Sequence, residues 1–183
     1  MQITQDFEVA RPVASVWEML QDVPAVAQCL PGATLSEDKG GNLYAGSISV
    51  KLGPIAATFE GEATVTPDLQ GRRGSIDGRG VDKRGGSRGQ VKVTYELMPS
   101  EAGGTLVSIN ADVTLAGPAA QFGRTGLINE MSRRLIGDFA TCLEAKMAAP
   151  TEAEAQAIAA PEVKPLRLLW HSLVAWIKRL FRR

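Results

Sequence analysis

QVKVTYELMPSEAGGTLVSINADVTL, residues 90–115, holds two strand-like segments, Gln90–Met98 and Thr105–Leu115, separated by Pro99, Ser100 and the pair Gly103-Gly104. Segments rich in β-branched and aromatic residues and bounded by Gly, Pro, Asp and Asn read as strands. Upstream, Leu43–Leu52, Ile55–Thr66 and Gly74–Val81 have the same character. Five or six consecutive strands from Thr34 to Ala116, with no helical pattern between them, predict an antiparallel meander.

Helical patterns flank this block. Residues 2–10 alternate, with Ile3, Phe7 and Val9 on one face, and predict a strand. Pro12 then opens a helix carrying Val13, Val16, Trp17 and Leu20, and a second short helix from Pro24 ends at Pro31-Gly32. After Gly117-Pro118 a long helix is predicted over 119–147. Its apolar arc holds Phe122, Ile128, Met131, Leu135, Ile136, Phe139, Cys142, Leu143 and Met147, and its polar arc holds Glu130, Arg133, Arg134, Thr141 and Glu144. The order is α+β, with a domain complete by residue 147.

The chain has 183 residues and a formal net charge of zero, made of two opposed parts. Residues 162–183 carry six basic residues against Glu162 alone, a charge of +5, so residues 1–161 carry −5. Residues 148–165 (AAPTEAEAQAIAAPEVKP) are rich in Ala, Glu and Pro and are expected to be a flexible linker. Residues 166–183 follow a helical wheel with two faces. One holds Leu166, Leu169, Trp170, Leu173, Val174, Trp176, Ile177, Leu180 and Phe181; the other holds Arg167, His171, Ser172, Lys178, Arg179, Arg182 and Arg183. Trp, Leu and Phe opposite Lys and Arg describe a helix lying in a membrane interface, with the cations on anionic headgroups. Its longest apolar run, Leu173–Ile177, is far short of the roughly 20 residues a span needs. Docking on a partner helix is the competing reading.

Several chemistries lack their residues. The only histidine, His171, is on the tail, so the domain has none for a general base, a metal or a triad. Gly85-Gly86-Ser87-Arg88-Gly89 fits GxSxG, but between two strands rather than at a strand–helix turn. Gly78-Arg79-Gly80 has Lys83 where a dinucleotide fingerprint needs a third glycine. The basic stretch 71–90 has no aromatic residue for base stacking, which argues against nucleic acid. A solvated hairpin, or docking on an acidic partner or anionic lipid, remains open for it. The two cysteines, Cys29 and Cys142, are far apart and outside any CxxC pattern. They argue against a disulfide framework or structural zinc and suit a reducing compartment. The N-terminus has no basic segment followed by an apolar run, so no signal peptide is expected.

The opening FEVARPVASVWEMLQDVPAVAQCLPG, residues 7–32, resembles the start of the SRPBCC (START/Bet v 1-like) superfamily. More narrowly, Leu30-Pro31-Gly32, KLGPIAATFEGEATV (51–65), GRGVDKRGGSRG (78–89) and AGPAAQFGRTGLINEMSRRL (116–135) are similar to the CoxG family of carbon monoxide dehydrogenase subunits. The resemblance covers about residues 1–147.

It implies a helix-grip fold, a bent antiparallel sheet around the long helix with an apolar cavity between them. It also implies a non-catalytic accessory protein of a CO dehydrogenase-type molybdenum hydroxylase. Such a protein binds a respiratory quinone, menaquinone or ubiquinone, and recruits the enzyme to the inner face of the cytoplasmic membrane. Within that implied cavity the candidate lining residues are Trp17, Leu30, Ile55, Phe59, Phe122, Ile128, Met131, Leu135 and Phe139. A ligand-free recruitment factor is the first alternative, and a cyclase or aromatase of the same superfamily the second.

Overall fold

The computed structural model describes residues 1–52, 55–124 and 127–160, apart from the side chains of residues 52, 55, 122–124, 127 and 128. The elements run β1 (Gln2–Val9), α1 (Val13–Gln21), α2 (Val23–Cys29), β2 (Ala33–Asp38), β3 (Leu43–Leu52), β4 (Ile55–Asp68), β5 (Arg73–Asp82), β6 (Ser87–Pro99), β7 (Thr105–Ala116), α3 (Leu127–Ala148) and α4 (Glu152–Ala157). The strands form one seven-stranded antiparallel sheet in the order β1-β7-β6-β5-β4-β3-β2. The meander is as predicted, and β1 adds to its far end by pairing with β7 from Gln2↔Asp112 to Val9↔Thr105.

Cross-strand partners share a face. One face therefore carries Val9, Val107 and Leu97 at one end, then Ile109, Tyr95, Val93 and Val91, and further on Phe59 and Ile48. Strong bending toward this face is possible because four of its positions on β4 and β5 are Gly61, Gly74, Gly78 and Gly80. At Gly61 a Cβ would run into the Arg79 carbonyl of the adjacent strand, so only glycine allows that approach.

Val9, Leu97 and Val107 pack with Val13 and Val16 of α1, Cys29 of α2 and Phe139, Cys142 and Leu143 of α3 in the closed core. Phe7 meets Phe139 edge to face, with ring centroids 5.8 Å apart. Thr105 is fully buried there, and its hydroxyl donates to the Arg11 carbonyl at 2.7 Å, which removes the cost of burying it. Asp22 separates the first two helices and caps α2 by accepting from the Ala25 N–H at 3.0 Å.

Three expectations change. Cys29 and Cys142 form a disulfide, with Cα atoms 5.4 Å apart. The pair is one long-range cross-link between α2 and α3, and sequence spacing cannot show such an approach. The support it lent to a reducing compartment falls with it. The helix predicted from residue 119 begins as a 3-10 segment, Gly117–Arg124, with α3 following from Leu127. There the Ala119 N–H donates to Ser87 Oγ at 3.1 Å, which ties the segment to β6.

The expected linker 148–165 begins as docked chain. Thr151 caps α4 by accepting from the Glu154 N–H, Ile158 packs against the core, and the Ala160 N–H donates to the Gln28 carbonyl at 2.8 Å. Its apolar contacts are too few to show as a periodic stripe. Residues 161–165 lie outside the described residues.

Candidate ligand chamber

Helix α3 lies against β1 at one edge of the sheet, and α2 touches both α3 and β2 at the other edge. Sheet, α3 and α2 thus close a ring around the concave face.

The filling of that ring is uneven. On α3 one stripe runs Met131, Leu135, Phe139, Cys142 and Lys146, at the three- and four-residue steps of a single face. Phe139, Cys142 and Lys146 are buried, whereas Met131 and Leu135 are only partly covered. The concave face follows the same gradient. Val9, Leu97 and Val107 are buried, while Val91, Val93, Phe59 and Ile48 are partly covered. Both walls stay apolar where their close packing ends, which outlines a chamber at the N-terminal half of α3.

Phe59 stands in this region with its Cβ 3.1 Å from where a Gly80 Cβ would be and its ring 3.5 Å from the same point at Gly89. The aromatic ring covers two bare backbone positions. Tyr95 does the same at Gly74, its hydroxyl 2.5 Å from the position a Cβ would take. Burial pushes the Tyr95 phenol above its ordinary pKa, and Trp17 of α1 lies 6.4 Å from it, centroid to centroid.

Of the nine candidate lining residues, Phe59, Met131 and Leu135 flank the chamber. Trp17 and Leu30 are partly covered and pack at the rim of the closed core. Phe139 is 6% exposed and belongs to the closed core itself. The side chains of Ile55, Phe122 and Ile128 lie outside the described residues. Tyr95, Val91, Val93 and Ile48 are wall residues the sequence reading missed. The signal for them was the strand register, which sets them on one face with Phe59.

Among the described residues no group of His, Cys, Asp and Glu could hold a metal ion. Apolar walls with a few hydroxyls favour an apolar ligand, at about 25 cal/mol per Å² removed from water.

The outer face is different in kind. Glu62 accepts from Lys39 at 2.7 Å and from Arg79 at 3.1 Å, Glu60 pairs with Lys83 at 2.7 Å, and Arg73 pairs with Asp68 at 2.8 Å. Lys39 and Arg79 hold the Glu62 carboxyl below its ordinary pKa, and Lys83 does so for Glu60. The basic stretch 71–90 is thus largely divided into cross-strand pairs, as a solvated hairpin requires, and forms no continuous cationic patch.

The candidate membrane residues Leu166, Leu169, Trp170, Leu173, Trp176, Ile177, Lys178, Arg179, Leu180, Phe181, Arg182 and Arg183 lie outside the described residues. Among those described, no helix is long and apolar enough to cross a membrane.

Solved structures share the architecture. A conserved protein from Geobacillus kaustophilus superposes with a TM-score of 0.68 at 18% identity, over 81% of this chain and 95% of its own. An aromatase/cyclase from Streptomyces gives 0.51 at 16% identity, over 81% of this chain and 96% of its own. Norcoclaurine synthase from Thalictrum flavum gives 0.52 at 16% identity, over 81% and 88%. At these identities the likeness shows the fold, a Bet v 1-like helix grip, and nothing of the chemistry. No curated protein matches the sequence. The family profile described as the CoxG subunit of carbon monoxide dehydrogenase matches residues 6–148, the whole of the sheet and α3, and the chain belongs to that family.

Proposed function

We propose that this protein is a non-catalytic accessory protein of a CO dehydrogenase-type molybdenum hydroxylase that carries a respiratory quinone, menaquinone or ubiquinone, in its chamber. Its family supports the accessory role. The observation that carries the quinone reading is the stripe on α3, buried from Phe139 onward but partly covered at Met131 and Leu135 and facing an apolar sheet. A quinone suits such a space because its isoprenoid chain gains from apolar walls and its ring carbonyls accept from a hydroxyl such as that of Tyr95. In this reading the tail, with its Trp/Leu face and four terminal cations, holds the protein on the inner face of the cytoplasmic membrane, where quinone is stored.

Organic extraction of the full chain purified from quinone-containing cells, followed by mass spectrometry, tests the proposal. Quinone at a constant fraction of protein is the expected result. If none co-purifies and added menaquinone and ubiquinone leave tryptophan fluorescence unchanged, the carrier reading fails and a ligand-free recruitment factor takes its place.

A further inference from the structure

The ring around the chamber has a seam where α2 meets α3. Cys29 of α2 is bonded to Cys142 of α3. Beside this bond, and one helical turn further along α3, Lys146 is 4% exposed and its ammonium donates to Gln28 Oε1 at 2.8 Å and to the Ala155 carbonyl of α4 at 2.7 Å. No carboxylate lies within ion-pairing distance of Lys146 among the described residues. One buried cation therefore ties three helices together through neutral acceptors.

The α4 segment adds a second tie, since the Ala160 N–H donates to the Gln28 carbonyl at 2.8 Å. It has little hold of its own, because α4 is six residues long and buries none of them. A helix that short is marginal in water without tertiary support. Its place depends on Lys146, Gln28 and the partly covered Ile158.

We propose that residues 149–160 are a releasable latch on α2, keyed on Lys146, and that with the disulfide they hold shut the α2–α3 seam, the movable side of the chamber. The seam suits this part because the other junctions of the ring are continuous strand ladders or the broad contact of α3 with β1. The two ties are adjacent in sequence on α2, so either one holds the helix in register while the other is undone. The chamber's role as a ligand site rests on the reading above, but the latch itself does not.

Hydrogen exchange on the full chain tests the latch without any ligand. Ala155→Pro breaks α4 and leaves the sheet and the disulfide untouched. Exchange should rise about tenfold or more over 149–160 and about threefold over α2, with β6 and β7 unchanged. Combining Ala155→Pro with Cys29→Ala and Cys142→Ala should raise α2 exchange by more than the product of the separate effects. A freed 149–160 segment with unchanged α2 protection, or merely multiplicative effects in the combined variant, overturns the proposal. If the combined variant loses protection in β6 and β7, the single Ala155→Pro result decides.

Uptake of the apolar dye 1-anilinonaphthalene-8-sulfonate separately tests the chamber. Dye that fails to bind any variant, alongside an α2 that loosens as expected, removes the ligand reading and upholds the latch.

Discussion

Leu143 and Leu135 are the same residue type two turns apart on α3, yet Leu143 is fully buried and Leu135 only partly covered. Truncating a close-packed leucine removes its transfer free energy and leaves a cavity, so Leu143→Ala should cost about 2–5 kcal/mol in urea unfolding. Leu135→Ala should cost under about 1.5 kcal/mol, because its neighbourhood is already loosely filled. Equal costs would mean that the chamber is closed core. Glu62 gives a second residue-level test. Its carboxyl is held below its ordinary pKa by Lys39 and Arg79, so its contribution is present above the usual carboxylate range and fades as pH falls through the lowered value. The melting temperature should therefore fall on acidification below roughly pH 4. Glu62→Gln should show a shallower decline, and the difference should shrink in about 1 M salt. A parallel decline in the two proteins would remove Glu62 from the acid response.

At the scale of elements, what the sequence disclosed depended on whether a signal was local. β1, β3 and α1 are close to their predicted ranges because each has its own alternation or helical stripe. β2, Ala33–Asp38, carries only Leu35 as a large apolar residue and is recruited by pairing with β3, so no periodicity announced it. Phe59 was legible as a wall residue because an aromatic residue stands out in a strand. Tyr95 became one only through its register against Gly74. The disulfide is the extreme non-local case, closing a loop of 113 residues. In the chain-entropy account such a loop is worth about 4–5 kcal/mol, and measured bonds usually deliver about 2–4. Cys29→Ala with Cys142→Ala should therefore melt about 5–15 °C lower than the oxidised protein. A melting point that neither the substitutions nor a dithiol reductant moves would show that the bond adds nothing to the folded state.

For the whole molecule, the zero net charge conceals an arrangement that the fold sharpens. The −5 of residues 1–161 is not offset by a basic face, because Arg73, Arg79 and Lys83 are each committed to a carboxylate. The attraction to an anionic surface is thereby left to residues 162–183 with their +5. Cations near such a surface contribute about 1 kcal/mol each, and the Trp/Leu face adds an apolar term that salt does not screen. In flotation with vesicles of equal phosphatidylglycerol and phosphatidylcholine, the full chain should float at low salt and in part at about 0.5 M salt, where the Debye length has shrunk to a few ångströms. The chain ending at residue 165 should stay at the bottom under both conditions, since the acidic body is repelled and has no patch to offer. Replacing Trp170 and Trp176 by Ser should leave flotation only at low salt, and replacing Lys178, Arg179, Arg182 and Arg183 by Gln should make the remaining flotation independent of salt. A chain ending at residue 165 that still floats would assign membrane binding to the helix-grip domain and overturn the division of labour between body and tail.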